Sequence, residues 1–213
     1  VFHLVSAADG AEAHYSLANN KARTESPEEA RQADKKTQKA WVGHPHLYVL
    51  DNTSDFEAKM NRLIDVVSKV VGLPSNLKRR SAKFLLKGQP NVASFPAEIN
   101  YQMFEVEKAY LQQSDKESEN YSFVRRRTNI DESGKLLGSV YQLTTAKLSD
   151  DELIEQKRII TQREYSAAYM TRDTNRHVVR QRRISFLYNL QSFVVHVYEQ
   201  PVADLCVLHA QVE

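Results

Sequence analysis

From Arg79 onward the chain falls into short runs in which β-branched, aromatic and basic residues alternate, and this pattern limits the fold most. The runs are 79–87, 104–111, 121–129, 139–148, 153–160, 178–188, 193–198 and 205–213. Strand side chains point to opposite faces in turn, so a period of two marks a strand with one buried face. Many short strands joined by polar turns predict an antiparallel sheet or barrel. One helical segment, Thr161 to Met170, interrupts them.

The first seventy or so residues have a different pattern. "VFHLVS" (1–6) and "HLYVL" (46–50) are short apolar runs that predict buried strands. "AEAHYSLANN" predicts a helix ending at Asn. Ser26, Pro27 and Glu29 form a capping box with proline at the first helical position, so a helix starts there. Phe56, Met60, Leu63, Ile64, Val67, Val70 and Val71 recur at helical spacing, and Gly72 ends that helix. Strand, helix, helix, strand, helix is an α/β order with parallel strands. A boundary is expected near residues 72–77.

Net charge is only +2, so any basic function is local. With 41% hydrophobic residues the chain can build a packed core. The single cysteine, Cys206, excludes an internal disulfide, fits a reducing, cytoplasmic compartment, and falls on the apolar side of its run. No run approaches the roughly 20 apolar residues that span a bilayer. The chain opens inside an apolar run without Met, which reads as part of a longer protein.

Alternation puts charged residues on shared faces. Arg79, Ser81 and Lys83 share one; so do Arg125 and Arg127, Thr145 and Lys147, Glu155 and Lys157, Arg180 and Arg182, and His209, Gln211 and Glu213. If these faces converge, the enclosed space is rich in cations and poor in acids. Such cations need a polyanion or solvent beside them. Paired arginines suit phosphate oxygens. Solvated faces are the plain alternative.

The segments "AKFLL", "FVRRR", "LTTAK", "KRIITQREY", "VVRQRRISF" and "DLCVLHAQVE" run in the order seen in CYTH domains, which the region from residue 77 to 213 resembles. "FHLVSAADGAEAHYSL", "ARTESPEEARQAD" and "WVGHPHLYVLDNTSDFEAKMNRL" make residues 1–74 similar to the kinase-like P-loop domain of the TRPL translocation defect protein family, where such a domain is fused to a CYTH-like one. The resemblance implies an α+β protein: a partial α/β P-loop domain followed by an antiparallel CYTH-like β-barrel, the triphosphate tunnel. It also implies guanine-nucleotide binding in the full-length protein, with GTP and Mg²⁺, and phosphoinositide or other polyphosphate binding in vesicle trafficking. Peripheral contact with endosomal or vesicle membranes would follow. The expected anion-binding residues are Lys83, Arg125, Arg127, Lys147, Lys157, Arg180 and Arg182.

The chain departs from the catalytic family pattern. The opening Glu-x-Glu-x-Lys becomes Arg79, Ser81 and Lys83, and the late Glu-x-Glu becomes His209 and Gln211. Glu155 is the one family acid retained, beside Lys157. A hard divalent cation wants several carboxylate oxygens, and metal-assisted attack on phosphorus needs that cation. The expectation is therefore a binding protein with no metal site and no required cofactor. A metal-dependent tripolyphosphatase is the first alternative. An RNA- or protein-binding scaffold is the second: Phe123 shares a face with Arg125, although the charge balance disfavours nucleic acid.

No Gly-x-x-x-x-Gly-Lys-Ser/Thr occurs in the chain, so the phosphate cradle of a P-loop is missing. The resemblance would put Asp51 and Asn52 near a nucleotide base, and Arg23 and Arg31 in a phosphate-reaching lid. The plain readings are a helix cap at Asn52, Thr53 or Ser54 and surface ion pairs for the arginines. His44 and His46 lack further ligands for zinc. Trp41 and Tyr48 are expected to pack between helix and strand.

Overall fold

The computed structural model describes residues 1–18, 22–44, 47–71, 73, 80–113, 120–149 and 152–212. The expected boundary at 72–77 and the histidine His46 lie largely outside them.

In the N-terminal part, strands β1 (Phe2–Leu4) and β2 (Tyr48–Leu50) pair in parallel. Helix α1 (Pro27–Ala40) begins as expected: the Ser26 hydroxyl accepts from Glu29 N, and Glu29 Oε2 accepts from Ser26 N at 2.8 Å. Asp34 ties this helix to β1, accepting from Ser6 N at 3.1 Å and lying 3.2 Å from His3 Nε2. Helix α2 (Phe56–Val71) is capped by Asp55, whose carboxylate accepts from Ala58 N at 2.8 Å. The predicted helix at "AEAHYSLANN" is reduced to a 3₁₀ turn at Glu12–His14. Tyr48 stacks on Phe2 at 5.6 Å, while Trp41 is exposed and its ring meets the His44 ring edge-on.

The remainder is a single antiparallel sheet. Its strands are β3 (Arg80–Leu86), β4 (Tyr101–Tyr110), β5 (Tyr121–Ile130), β6 (Leu136–Ser149), β7 (Glu152–Ile160), β8 (Val179–Tyr188), β9 (Gln191–Gln200) and β10 (Cys206–Val212). They lie in the order β3-β10-β9-β8-β4-β5-β6-β7. Helix α3 (Gln162–Met170) follows β7, with a second capping box between Thr161 and Glu164.

The expectation of a partial α/β P-loop domain followed by a CYTH-like barrel is overturned. Strands β3 and β7 are the two ends of the order and do not pair with each other, so the sheet stays open. The parallel part consists of one pair of three-residue strands with two helices, not a P-loop domain. Alternation identifies strands, but closure depends on tilt and stagger, which alternation does not encode.

One face of the sheet carries the main apolar clusters, while Phe104, Val106, Phe123 and Ala146 are buried on the other. Ala109, Val124, Ile160 and Tyr165 pack together beneath α3. Ile184, Val195, Val197 and Cys206 pack with Val92 and Phe95 of the 3₁₀ turn at Val92–Ser94 and its cap. Cys206 is a buried thiol there, its pKa raised by burial and by Asp204. No helix among the described residues is long and apolar enough to cross a membrane.

Ile184 is fully buried in this face and Ile159 is 64% exposed. Ile184→Ala is expected to cost about 2–5 kcal/mol in urea unfolding. Ile159→Ala should stay within about 0.5 kcal/mol. Similar losses at both positions would contradict the assigned core.

Candidate anion-binding face

Strand register settles which side chains share the face opposite the core. Lys108 lies across from Arg125, Val106 from Arg127 and Phe104 from Arg183. Arg183 in turn faces His196, and His209 faces Lys83. Thr144 faces Lys157 and Ala146 faces Glu155. One face therefore holds Lys83, Lys108, Arg125, Arg127, Lys157 and Arg183. Glu155 is its only acid among the described strand residues.

The central arginines make contacts, none of them with a carboxylate among the described residues. Arg125 Nη2 donates to Gln142 Oε1. Arg127 donates to Gln102 Oε1 at 3.1 Å and lies over the Phe104 ring at 3.9 Å. Arg183 Nε donates to Gln181 Oε1 at 2.8 Å. Arg127 is buried, and its Nε has no hydrogen-bond partner among the described residues. A buried guanidinium without a counter-charge favours its neutral form. Burial first, then Arg125, bring the Arg127 pKa down to about 10. Burial, then Arg125 with a smaller push from Arg127, bring Arg183 to about 9, against a small opposing effect of Tyr198. Burial also lowers Arg125, which Glu155 partly offsets.

The acid at the margin is itself occupied. Tyr121 donates to Glu155 Oε1 at 2.8 Å and Lys157 pairs with Oε2 at 3.1 Å. Burial works to raise the Glu155 pKa, but these two partners hold it below its ordinary value. Nearby, Tyr121 stacks on Phe123 at 6.2 Å, and the Lys108 ammonium sits 3.9 Å above the Phe123 ring. These rings face one another and a lysine, and Phe123 is buried.

On the core face the central arginines have acids beside them. Glu107 meets Arg180 at 3.0 Å and Arg126 at 3.4 Å, and accepts from the buried Tyr165 hydroxyl at 3.0 Å. Arg182 approaches Glu199 at 3.8 Å. Thus Lys83, Arg125, Arg127 and Lys157 share one face, with Lys83 and Lys157 on the two end strands, while Arg180, Arg182 and Lys147 lie on the other. Lys108, Arg183 and His196 were not singled out by the sequence, and His209 was noted only as standing where the catalytic pattern has an acid. Parity could have found Arg183: Arg182 shares its parity with core residues Ile184 and Phe186, so Arg183 must face away from them.

The N-terminal candidates hold the backbone together. Asn52 Nδ2 donates to the carbonyls of Ser6 at 2.8 Å and Asp9 at 2.7 Å. Its Oδ1 accepts from the buried Lys59 ammonium at 2.6 Å. Asp51 pairs with Arg62 at 3.1 Å and accepts from Thr53. Arg31 donates to Ala8 O at 2.7 Å and pairs with Glu28; Arg23 donates to Ser16 O at 2.9 Å. No group of three or more His, Cys, Asp or Glu poised to hold a metal occurs among the described residues.

No family model matches the chain, and no curated protein matches it. Among solved structures it is similar to the hypothetical protein NE1496, at 15% identity and a TM-score of 0.41, over 64% of this chain and 77% of that one. A likeness of that size carries no argument about fold or function.

An uncompensated buried cation should cost stability. Arg127→Met is expected to leave the unfolding free energy unchanged or raise it by up to about 2 kcal/mol. Arg180→Met should lower it by about 1 kcal/mol, because Glu107 loses a partner. Urea unfolding of both variants tests this; a large loss in Arg127→Met alone would contradict the charge assignment.

Proposed function

We propose that this chain is a binding protein for a phosphorylated polyanion, taken up on the face that carries Lys83, Lys108, Arg125, Arg127 and Arg183. One observation carries the reading: the half-buried and buried arginines of this face lack carboxylate partners among the described residues, whereas those of the core face have them. Phosphate groups supply the missing charge and accept in the fork geometry of a guanidinium. A ligand with several phosphates, such as tripolyphosphate or an inositol phosphate headgroup, reaches more than one of these cations at once. The family resemblance adds phosphoinositides on trafficking membranes as the source of such a headgroup.

The aromatic residues of this face favour phosphate over single-stranded RNA. Tyr110, Tyr121 and Phe123 contact one another and Lys108 lies over Tyr110 and Phe123, so their rings are not a free stacking platform.

Arg125→Ala together with Arg183→Ala should weaken tripolyphosphate binding by about 2–4 kcal/mol in calorimetric titration, taking charge-assisted bonds at their usual size. Arg182→Ala, on the other face, should change it little. Parallel titrations with a soluble inositol phosphate and with vesicles containing phosphoinositide separate a free ligand from a lipid one. Equal losses from both faces, or none from Arg125 and Arg183, would overturn the proposal.

A further inference from the structure

The basic face contains two groups whose charge is not fixed. His196 and His209 stack on each other with ring centroids 3.9 Å apart, inclined by 25°. Each lies directly across from a cation of the next strand, His196 from Arg183 and His209 from Lys83. The pair thus links Lys83 on one edge strand to Arg183 and, beyond it, to Arg125 and Arg127.

The groups around the pair are known from each neighbouring strand. Lys83 comes from β3, Tyr198 from β9 with its ring 6.4 Å from His196, Arg183 from β8 and Arg125 from β5. No carboxylate faces the pair from the described residues of β3, β8, β9 or β10; Glu199 of β9 points to the core face, toward Arg182. Two parallel imidazoles at this distance, each beside a fixed positive charge, cannot both be cationic without an anion. Burial first, then Arg183, His209, Lys83 and Arg125, push His196 down to about 2. Burial, then Lys83 and Arg183, push His209 to about 4. Both rings are therefore neutral in the free protein across the range in which histidine usually titrates.

A polyanion on this face sets a negative field against those neighbouring cations and gives a charged imidazole a counter-ion. We propose that His196 and His209 belong to the anion site and become cationic when the ligand arrives, so that the protein takes up protons on binding and holds its polyanion more tightly as pH falls. This rests on the polyanion reading above. The sign follows from linkage: the complex binds more protons than the free protein, so affinity increases as protons become more available. Each proton taken up steepens the gain by about tenfold in affinity per pH unit. Histidine is the side chain suited to this, since its ordinary range spans about pH 5 to 8.

The test uses inositol hexasulfate as the probe, because its sulfates remain ionised across that range and any proton taken up goes to the protein. The chain is titrated calorimetrically near pH 8 and near pH 6, in pairs of buffers that differ in ionisation enthalpy. The expected result is net proton uptake and tighter binding at the lower pH. Histidine ring resonances followed by NMR should show His196 and His209 titrating at higher pH in the complex than in the free protein. The His196→Asn, His209→Asn double variant should lose the proton uptake and the pH dependence. Absence of binding at either pH would overturn the polyanion reading, and this inference with it. Binding with no proton uptake, or uptake that persists in the double variant, would overturn this inference and leave the polyanion reading standing. The resonances of the unaltered protein decide the matter if the double variant does not fold.

Discussion

Glu107 neutralises two of the arginines on the core face of the sheet. It stands on the core face of β4, nearly buried, and draws in Arg126 from β5, Arg180 from β8 and the Tyr165 hydroxyl from α3. Its side chain is about 10% exposed, so these partners meet a desolvated carboxylate. Through Tyr165 the same residue fixes α3 against the core, and with it one of the two apolar clusters. The consequence lies on the other side. In "RRR" of β5 and "RQRR" of β8, alternation sends Arg126, Arg180 and Arg182 toward acids and leaves Arg125, Arg127 and Arg183 facing away from them. Carboxylates of β4 and β9 thereby sort the arginines of a nearly neutral chain into a paired face and a basic one.

That sorting explains why a net charge of +2 is compatible with a strongly basic surface. The basic face is not loosely solvated. Arg127, Gln142, Thr144 and Gln181 on it are all buried, and the amide side chains of Gln102, Gln142 and Gln181 accept from the three arginines. Neutral acceptors satisfy hydrogen bonds without cancelling charge. The guanidinium groups are held in place by neutral partners, at a cost in stability. The two histidines extend the same logic with groups that can lose their charge when no ligand is present.

Much of this was legible in the sequence. All eight alternating runs became strands, and the capping residues Ser26 and Glu29 marked α1. Asp55, rather than Asn52, Thr53 or Ser54, caps α2, because Asn52 is drawn away to the carbonyls of Ser6 and Asp9. Closure of the sheet was not legible, since it is a property of how the edge strands β3 and β7 lie and not of their residues. The basic face was half legible. Alternation alone groups Arg125 and Arg127. Arg180 and Arg182 were grouped equally well but with the wrong face, because alternation does not say which of two faces is the core. The apolar partners of Arg182, namely Ile184 and Phe186, carried that information. Lys108 and His196 stand alone as basic residues in their runs and drew no attention until the register brought them beside their neighbours.

The measurement that tests the sorting most directly is NMR of the arginine side-chain Nε–Hε groups during titration with tripolyphosphate. The account predicts that the resonances of Arg125, Arg127 and Arg183 shift together to saturation while those of Arg126, Arg180 and Arg182 stay in place. Shifts confined to the second set, or equal in both, would contradict it.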